Sequence, residues 1–374
     1  MKRSLSLSSF VVLGLMTAGG VSPSAGASTI VRFDTSLGDI DVRLYDTATP
    51  DSVANFLNYV TTDRYDGTFF HRVPQSAPGV SADFVVQGGG FLLNDSIFGA
   101  TGIVTDAPIG DEPGLTNTRA TLAFAKNSLG ATSQYFFNIG DNSFLDAQDF
   151  TVFGHVINDT LPVVDAINNL PTINAAAAED APGEDFDEVP VTDFDQVLAQ
   201  NDITNSEAVL VNNVTVLNFA DGDYNFDGGV DRDDFEVWES QFGSSVRIAD
   251  QVGTTPDTFA EADGNGDGVV DVVDLEIWRA AAGILDGDYN GDGFVGQADL
   301  NLVLLNFGDS VLPEGFDVTG LTGGPFDGLI GQNELNDVLL NFGNSAAPAV
   351  AVPEPASLAL LGLGAAAGLA RRRR

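Results

Sequence analysis

Apolar and polar residues alternate with period two over residues 29–35 (TIVRFDT) and 39–45 (DIDVRLY), on either side of Leu37 and Gly38, which predicts an antiparallel hairpin. Thr49-Pro50 then opens a helix, with threonine as N-cap and proline at the first helical position, and Val53, Phe56, Leu57 and Val60 recur at helical spacing. Further strand-like runs fall at 68–73, 84–87, 120–125, 135–139 and 151–156, a second helix at 161–170, and a late strand at 209–217. Many short strands with two helices predict a mostly β domain over residues 28–218, folded as a closed or nearly closed barrel. The acidic stretch 175–195 reads as a surface loop inside that domain, because a strand still follows it.

The pattern changes over residues 221–345, where Asp, Asn and Gly dominate and a unit repeats. Residues 223–234, 263–274 and 288–299 carry oxygen side chains at positions 1, 3, 5 and 12, glycine at 6 and an apolar residue at 8. This is the layout of a calcium loop of the EF-hand kind, in which the glycine permits the sharp turn and the apolar residue pairs two loops back to back. The candidate ligands are Asp223, Asn225, Asp227, Asp231 and Asp234; Asp263, Asn265, Asp267, Asp271 and Asp274; and Asp288, Asn290, Asp292 and Asp299. A degenerate fourth copy at 323–334 keeps Glu334 at position 12 but has Gly323 and Pro325 at positions 1 and 3, so three structural Ca2+ sites are expected. Each loop runs straight into a helix, with no helix before the first and third, and in this the repeats resemble dockerin type I modules. The resemblance implies a cohesin-like partner. The residues at loop positions 10 and 11 share no common pair, so a calcium-stiffened spacer competes equally with that reading.

Net charge is −39, from 54 acidic and 15 basic residues among 374, which excludes nucleic acid as a partner and suits divalent cations. Cysteine is absent and histidine occurs only at 71 and 155, so thiolate chemistry and His-rich metal sites are excluded. Residues 1–27 read as a signal peptide: a basic start, an apolar run over 10–18 and a small-x-small site at Ala25-Gly26-Ala27. Residues 352–374 hold a Pro-Glu-Pro cluster, an apolar segment too short for an ordinary membrane span, and four terminal arginines. This tail resembles the PEP-CTERM sorting signal of Gram-negative bacteria. It implies an exported protein of the periplasm, outer envelope or cell surface, a transient anchor, and processing by an exosortase-type enzyme.

Only nine Lys and Arg lie between the two termini, and one of them, Arg72, sits in FFHRV, shortly before DFVVQGGGF. Together with NFLNYV, TSQYFFNI, NSFLD and TVFG, in that order and rough spacing, these pieces resemble the cyclophilin-type peptidyl-prolyl isomerases. The resemblance implies a closed eight-stranded antiparallel barrel and rotation of X–Pro bonds in proline-containing polypeptides, with no cofactor for catalysis. It assigns catalysis to Arg72, Phe84, Gln87 and Phe136, and the substrate pocket to Ala125, Lys126, Phe144, Leu145 and Phe150. Phe144 stands where many eukaryotic members have tryptophan. The residues QSAPGVSAD, at 75–83, form an insertion that either makes a flap beside the pocket or displaces Arg72. A non-catalytic protein that grips proline segments for envelope assembly is the alternative reading.

Overall fold

The computed structural model describes residues 28–77, 80–176, 186–248, 261–291, 293–310, 312 and 329–345. The predicted signal peptide, the sorting tail, most of the degenerate fourth loop and Asp292 lie outside the described residues. Among the described residues no helix is long and apolar enough to cross a membrane.

The predicted hairpin is β1 (Ile30–Thr35) and β2 (Gly38–Leu44), in register from Ile30 opposite Arg43 to Thr35 opposite Gly38. With strands numbered in chain order, it stands at the centre of one ten-stranded sheet. On the β2 side lie β11 (Val152–Ile157), β9 (Thr121–Asn127), β10 (Gly130–Asn138) and β6 (Val85–Gly88). On the β1 side lie β14 (Leu210–Leu217), β3 (Thr68–Phe69), β7 (Phe91–Leu92) and β8 (Thr101–Gly102). The hydrogen-bonded order therefore differs from the expected eight closed strands, because β7 and β8 extend it beyond β3. The run 68–73 breaks after Phe69, yet the chain it leads into meets β6: His71 N donates to Gln87 O at 3.1 Å, and Gln87 N donates to Arg72 O at 2.9 Å.

Helix α1 (Pro50–Thr61) lays Val53, Phe56 and Val60 on the inner face of the sheet, where the Phe33 ring lies 5.8 Å from Phe56, 5.3 Å from Tyr135 and 5.5 Å from Phe137. Thr49 occupies the N-cap, but its hydroxyl bonds back to Tyr45 O instead of capping. The open amides of Asp51 and Ser52 are instead taken by the Glu112 carboxylate, at 3.1 and 2.7 Å. A carboxylate there satisfies orphan N–H groups and sits at the positive end of the helix dipole. Helix α2 (Leu161–Asn168) matches the second predicted helix.

Two expectations are corrected in this region. A third helix, α3 (Phe194–Gln200), starts on an Asp193 cap. The acidic stretch is also more than a surface loop. Strands β12 (Thr172–Ile173) and β13 (Val189–Pro190) pair, and Phe186, Val189 and Val191 are buried beneath Phe69 and Phe91. The insertion forms a ribbon, β4 (Gln75–Ala77) against β5 (Val80–Ser81), and Arg72 keeps its bridge to Gln87 beside it.

The alternation that marks β2 as half-exposed is misleading. Asp41 is fully buried and Arg43 nearly so. Asp41 is held by Arg32 at 2.7 and 2.8 Å and by Asn158 at 2.9 Å. Arg43 is covered by the first pair of repeats, which packs on the sheet: its guanidinium donates to Ser28 Oγ and Glu261 O and lies 6.0 Å from the Tyr224 ring.

Each repeat helix begins where its loop ends: α4 (Arg232–Gln241), α5 (Val272–Ala282), α6 (Gln297–Leu305) and α7 (Gln332–Asn341). The expected back-to-back pairing of loops is replaced by another arrangement. The position-8 residue pairs with chain that follows its partner's helix: Val270 with Gly243 and Ser244, Val295 with Gly343 and Asn344, Ile330 with Gly308 and Asp309. The second pair packs around a core of its own, from Tyr289, Val295, Val303, Ile330 and Val338.

Replacing Glu112 with alanine leaves the first turn of α1 uncapped. Stability is expected to fall by about 1 kcal/mol, the usual cost of a lost N-cap, and the midpoint of urea unfolding checks it.

Candidate active site

At the β6–β10–β9 end of the sheet lies a pocket of about 390 Å³. Phe136 on β10 stands directly opposite Gln87 on β6, so their side chains share one face, and Gln134 follows two residues away on that same face. Arg72 Nη1 donates to Gln87 Oε1 at 3.3 Å, and Gln87 Nε2 donates to Gln134 Oε1 at 2.8 Å. The guanidinium is thereby held at the pocket wall by a neutral amide chain. Gly88–Gly90 bring β6 close to β10: at Gly89, where φ is +77°, a Cβ would come within 2.6 Å of the Tyr135 ring.

Phe84, Ala125, Lys126, Phe136, Leu145 and Phe150 line this pocket with Arg72 and Gln87, so eight of the nine expected residues gather there. Phe144 is the exception. It is 58 % exposed and stacks on the outer side of Phe84, 5.8 Å between ring centres. Lys126 is tied to Asp111 at 2.7 Å and to Asp149 O at 2.9 Å, with its ammonium 5.3 Å from the Phe150 ring.

A family model for the cyclophilin-type peptidyl-prolyl cis-trans isomerases matches residues 30–188. A peptidyl-prolyl cis-trans isomerase of Acinetobacter baylyi is 41% identical over 170 residues, covering 43% of this chain and 84% of the relative. Isomerase A of Dickeya dadantii is 38% identical over 48% of this chain and 91% of its own length, and isomerase B of Escherichia coli 36% over 42% and 94%. The chain belongs to the cyclophilin-type peptidyl-prolyl cis-trans isomerases. The cyclophilin match ends at 188, whereas the sheet continues to β14, which lies between β1 and β3. Residues 351–374 match the PEP-CTERM protein-sorting motif.

The cyclophilin pocket has a supporting shell that the sequence reading missed. Leu145 rides on a short 3-10 turn, Ser143–Gln148. Asn142 anchors that turn through Phe84 O at 2.8 Å and Asn138 Oδ1 at 2.7 Å. Asn117 grips Asp146 through its main-chain and side-chain nitrogens, both at 2.9 Å, and Phe150 O at 2.9 Å. Asn138 closes the network by donating to Asn117 Oδ1 and Thr121 Oγ1. Buried amides fully bonded in this way hold one geometry, because any rearrangement strands a polar atom. Gln134 lies within the TSQYFFNI segment, two residues before Phe136. The three asparagines carry no spacing signal that separates them from turn residues.

Next to Arg72, His71 is fully buried with its ring 4.9 Å from that of Phe91. Burial first, and the Arg72 charge second, lower its pKa from 6.5 to about 3.

The acidic loops repeat one set of bonds. The position-6 amide donates to the position-1 carboxylate, from Gly228 to Asp223, Gly268 to Asp263 and Gly293 to Asp288, at 3.1, 2.9 and 2.8 Å. Position-3 and position-9 amides donate to the position-12 carboxylate in all three loops. The position-6 glycines have φ of +90°, +84° and +80°. Asp227 and Asp267 at position 5 accept from the position-7 amides. Asp231 and Asp271 instead cap α4 and α5, accepting from Asp233 N and Val273 N. Asn225 and Asn265 accept from the amides two residues on.

Among the described residues no group of three or more His, Cys, Asp or Glu side chains is placed to hold a metal ion. The loops' donors extend beyond those types, to asparagine and main-chain carbonyl. Two observations fit a cation. Asp223 Oδ1 is buried without a hydrogen-bond partner. Burial, and then the charges of their loop neighbours, push Asp263 and Asp274 above the usual carboxylate range.

His71 gives a pH dependence with a definite sign. Its folded pKa lies below the unfolded value, so its contribution to stability is complete above 6.5 and is lost as pH falls toward about 3, where the unfolded chain binds the proton first. Between about pH 7 and about pH 4 the urea midpoint of the wild type is expected to fall relative to that of His71→Phe. A difference that stays constant over this range would show that His71 titrates normally in the folded chain.

Proposed function

We propose that this cyclophilin rotates X–Pro bonds of exported polypeptides with Arg72 as its catalytic donor, on a chain that also binds calcium through its repeats. The uncatalysed turn passes through a twisted amide, over a barrier of about 18–20 kcal/mol. No bond breaks, so the site has to favour the twisted geometry over the planar one. In the twisted amide the nitrogen lone pair is no longer delocalised into the carbonyl and accepts a hydrogen bond, which the Arg72 guanidinium donates. Gln87, held by Gln134, fixes the donor and meets the peptide backbone. Phe136 and Leu145 form the seat of the proline ring, with Phe84 and Phe150 beside it. Ala125 and Lys126 border the residues that precede the proline. The observation that carries this reading is the Arg72–Gln87–Gln134 chain on the wall of an aromatic pocket. The bridge between Arg72 and Gln87 also supports taking the eight strands from β6 to β3 as a closed barrel, with β7 and β8 added outside it.

Calcium is assigned to loops 223–234, 263–274 and 288–299. The orphaned Asp223 oxygen and the amide-bonded carboxylates at positions 1 and 12 support the assignment. Bound there, the ion would neutralise carboxylates that otherwise repel one another and would fix the loops. The match at 351–374 supports export and envelope sorting, with removal of the tail by an exosortase-type enzyme. The cohesin-like partner rests on the dockerin resemblance alone.

In a protease-coupled proline-isomerisation assay on the full chain, Arg72→Ala is expected to lower kcat/KM by roughly 10²–10³-fold, as for loss of a transition-state donor, with an unchanged circular dichroism spectrum. Equal rates for the two proteins would overturn the assignment. Titration calorimetry on chelator-treated protein is expected to give three calcium sites, and two in Asp223→Ala. Absence of any binding heat would refute calcium.

A further inference from the structure

We propose that the first repeat pair, residues 221–248 and 261–283, is a calcium-dependent part of the cyclophilin domain itself, clamping the sheet and one wall of the pocket, and is not a spacer beyond it. The inference rests on the calcium reading above and extends it to what the ion does for the sheet.

Two strips of main-chain contact carry the argument. In the first, Ser28 just ahead of β1 and the turn that follows β2 read the backbone of loop 263–274. Ser28 N donates to Gly264 O at 2.8 Å, Thr47 Oγ1 to Asn265 O at 2.7 Å, and the amides of Thr47 and Ala48 to Gly266 O at 3.2 and 3.1 Å. A Cβ at Gly266 would stand 2.7 Å from Leu44 O and 2.9 Å from Asp46 N, so loop and sheet touch backbone to backbone. Three successive carbonyls at positions 2, 3 and 4 face the sheet while the carboxylates of Asp263 and Asp274 are turned inward and fully buried. The two orientations belong to one loop conformation. Relaxing the inward carboxylates, as their mutual repulsion favours without a cation, withdraws the outward carbonyls.

The second strip reaches the pocket. Val246 N donates to Gly268 O at 3.0 Å in the same loop, and Thr116 N donates to Val246 O at 2.8 Å. Leu115 bridges Arg247, and Ile248 N donates to Gly114 O at 3.1 Å. The next residue along, Asn117, holds Asp146 and Phe150 O, and through them the turn that carries Leu145. Side chains follow the same route. Phe136 and Leu145 of the pocket belong to one buried cluster with Leu115, Val246, Trp238 and Trp278. The two loops are also joined to each other reciprocally: Trp238 Nε1 donates to Asp271 O and Trp278 Nε1 to Asp231 O, both at 2.8 Å. Occupancy of either loop therefore acts on one joined unit. The second pair has its own core and serves as an internal control.

Hydrogen exchange by mass spectrometry on the full chain tests this, with calorimetry reporting calcium binding separately. If opening of the clamp requires release of calcium, amides in residues 44–49 and 113–119 are expected to exchange about a hundredfold more slowly at calcium a hundred times the dissociation constant than in chelator. Asp263→Ala is expected to remove that protection with calcium present, and Asp288→Ala to leave it in place. The chelator comparison on wild type needs no variant, so misfolding of Asp263→Ala leaves the test intact. Calcium heat with exchange at 44–49 and 113–119 unaltered would overturn the clamp and leave the calcium reading standing. Absence of calcium heat would remove both.

Discussion

Two main-chain hydrogen bonds, from His71 N to Gln87 O and from Gln87 N to Arg72 O, govern most of what this molecule does with its sheet. They tie the chain leaving β3 to β6, at the opposite end of the hydrogen-bonded order. They also set the direction of two side chains. Once Gln87 is paired with Phe136 across β10, the amide has to reach toward Arg72 on one side and Gln134 on the other. The guanidinium on the pocket wall is therefore placed by backbone geometry, and the ribbon of β4 and β5 flanks it.

With 54 acidic residues against 15 basic ones, cations are drawn to carboxylates. Arg32 is paired with Asp39 and Asp41, Arg64 with Asp106, Arg119 with Asp165, Lys126 with Asp111, and Arg279 with Glu276 and Asp286. On the pocket wall Arg72 meets the neutral amide oxygen of Gln87. Arg43 illustrates another use. Buried between sheet and repeats, it spends its donors on Ser28 Oγ and a main-chain carbonyl, with aromatic faces nearby.

The strands and the pocket were legible because they depend on side chains that leave a pattern: period-two alternation for the hairpin, helical spacing over Val53 to Val60, and Arg72 and Gln87 in register with Phe84 and Phe136. What was illegible depends on main chain, or on single residues far apart in sequence. Glu112 caps a helix some sixty residues before it. Phe186 and Val189 sit in an acidic stretch whose composition says surface. Phe144 follows a family position yet falls outside the wall because the 3-10 turn aims it at solvent. Most of all, the seam between sheet and repeats is written in carbonyls of Gly264, Asn265 and Gly266, which no residue type announces. Its one trace in the sequence is oblique: Asp41 and Arg43, polar positions of an alternating strand, are buried, so the face that alternation assigns to water had to be covered by something.

That seam has a consequence for the order in which the molecule is made. Ser28 Oγ reaches Asp263 O across 235 positions, and β1 lies against β14, Ile30 opposite Leu217. The first strand of the sheet thus waits for the last, and the turn after β2 waits longer still, until residues 264–266 have arrived. Contacts this distant in sequence carry a large loop-closure cost and form late. A chain delivered from its N-terminus exposes the hairpin throughout that interval, and hairpin and repeats are sealed together only after residue 266 has emerged.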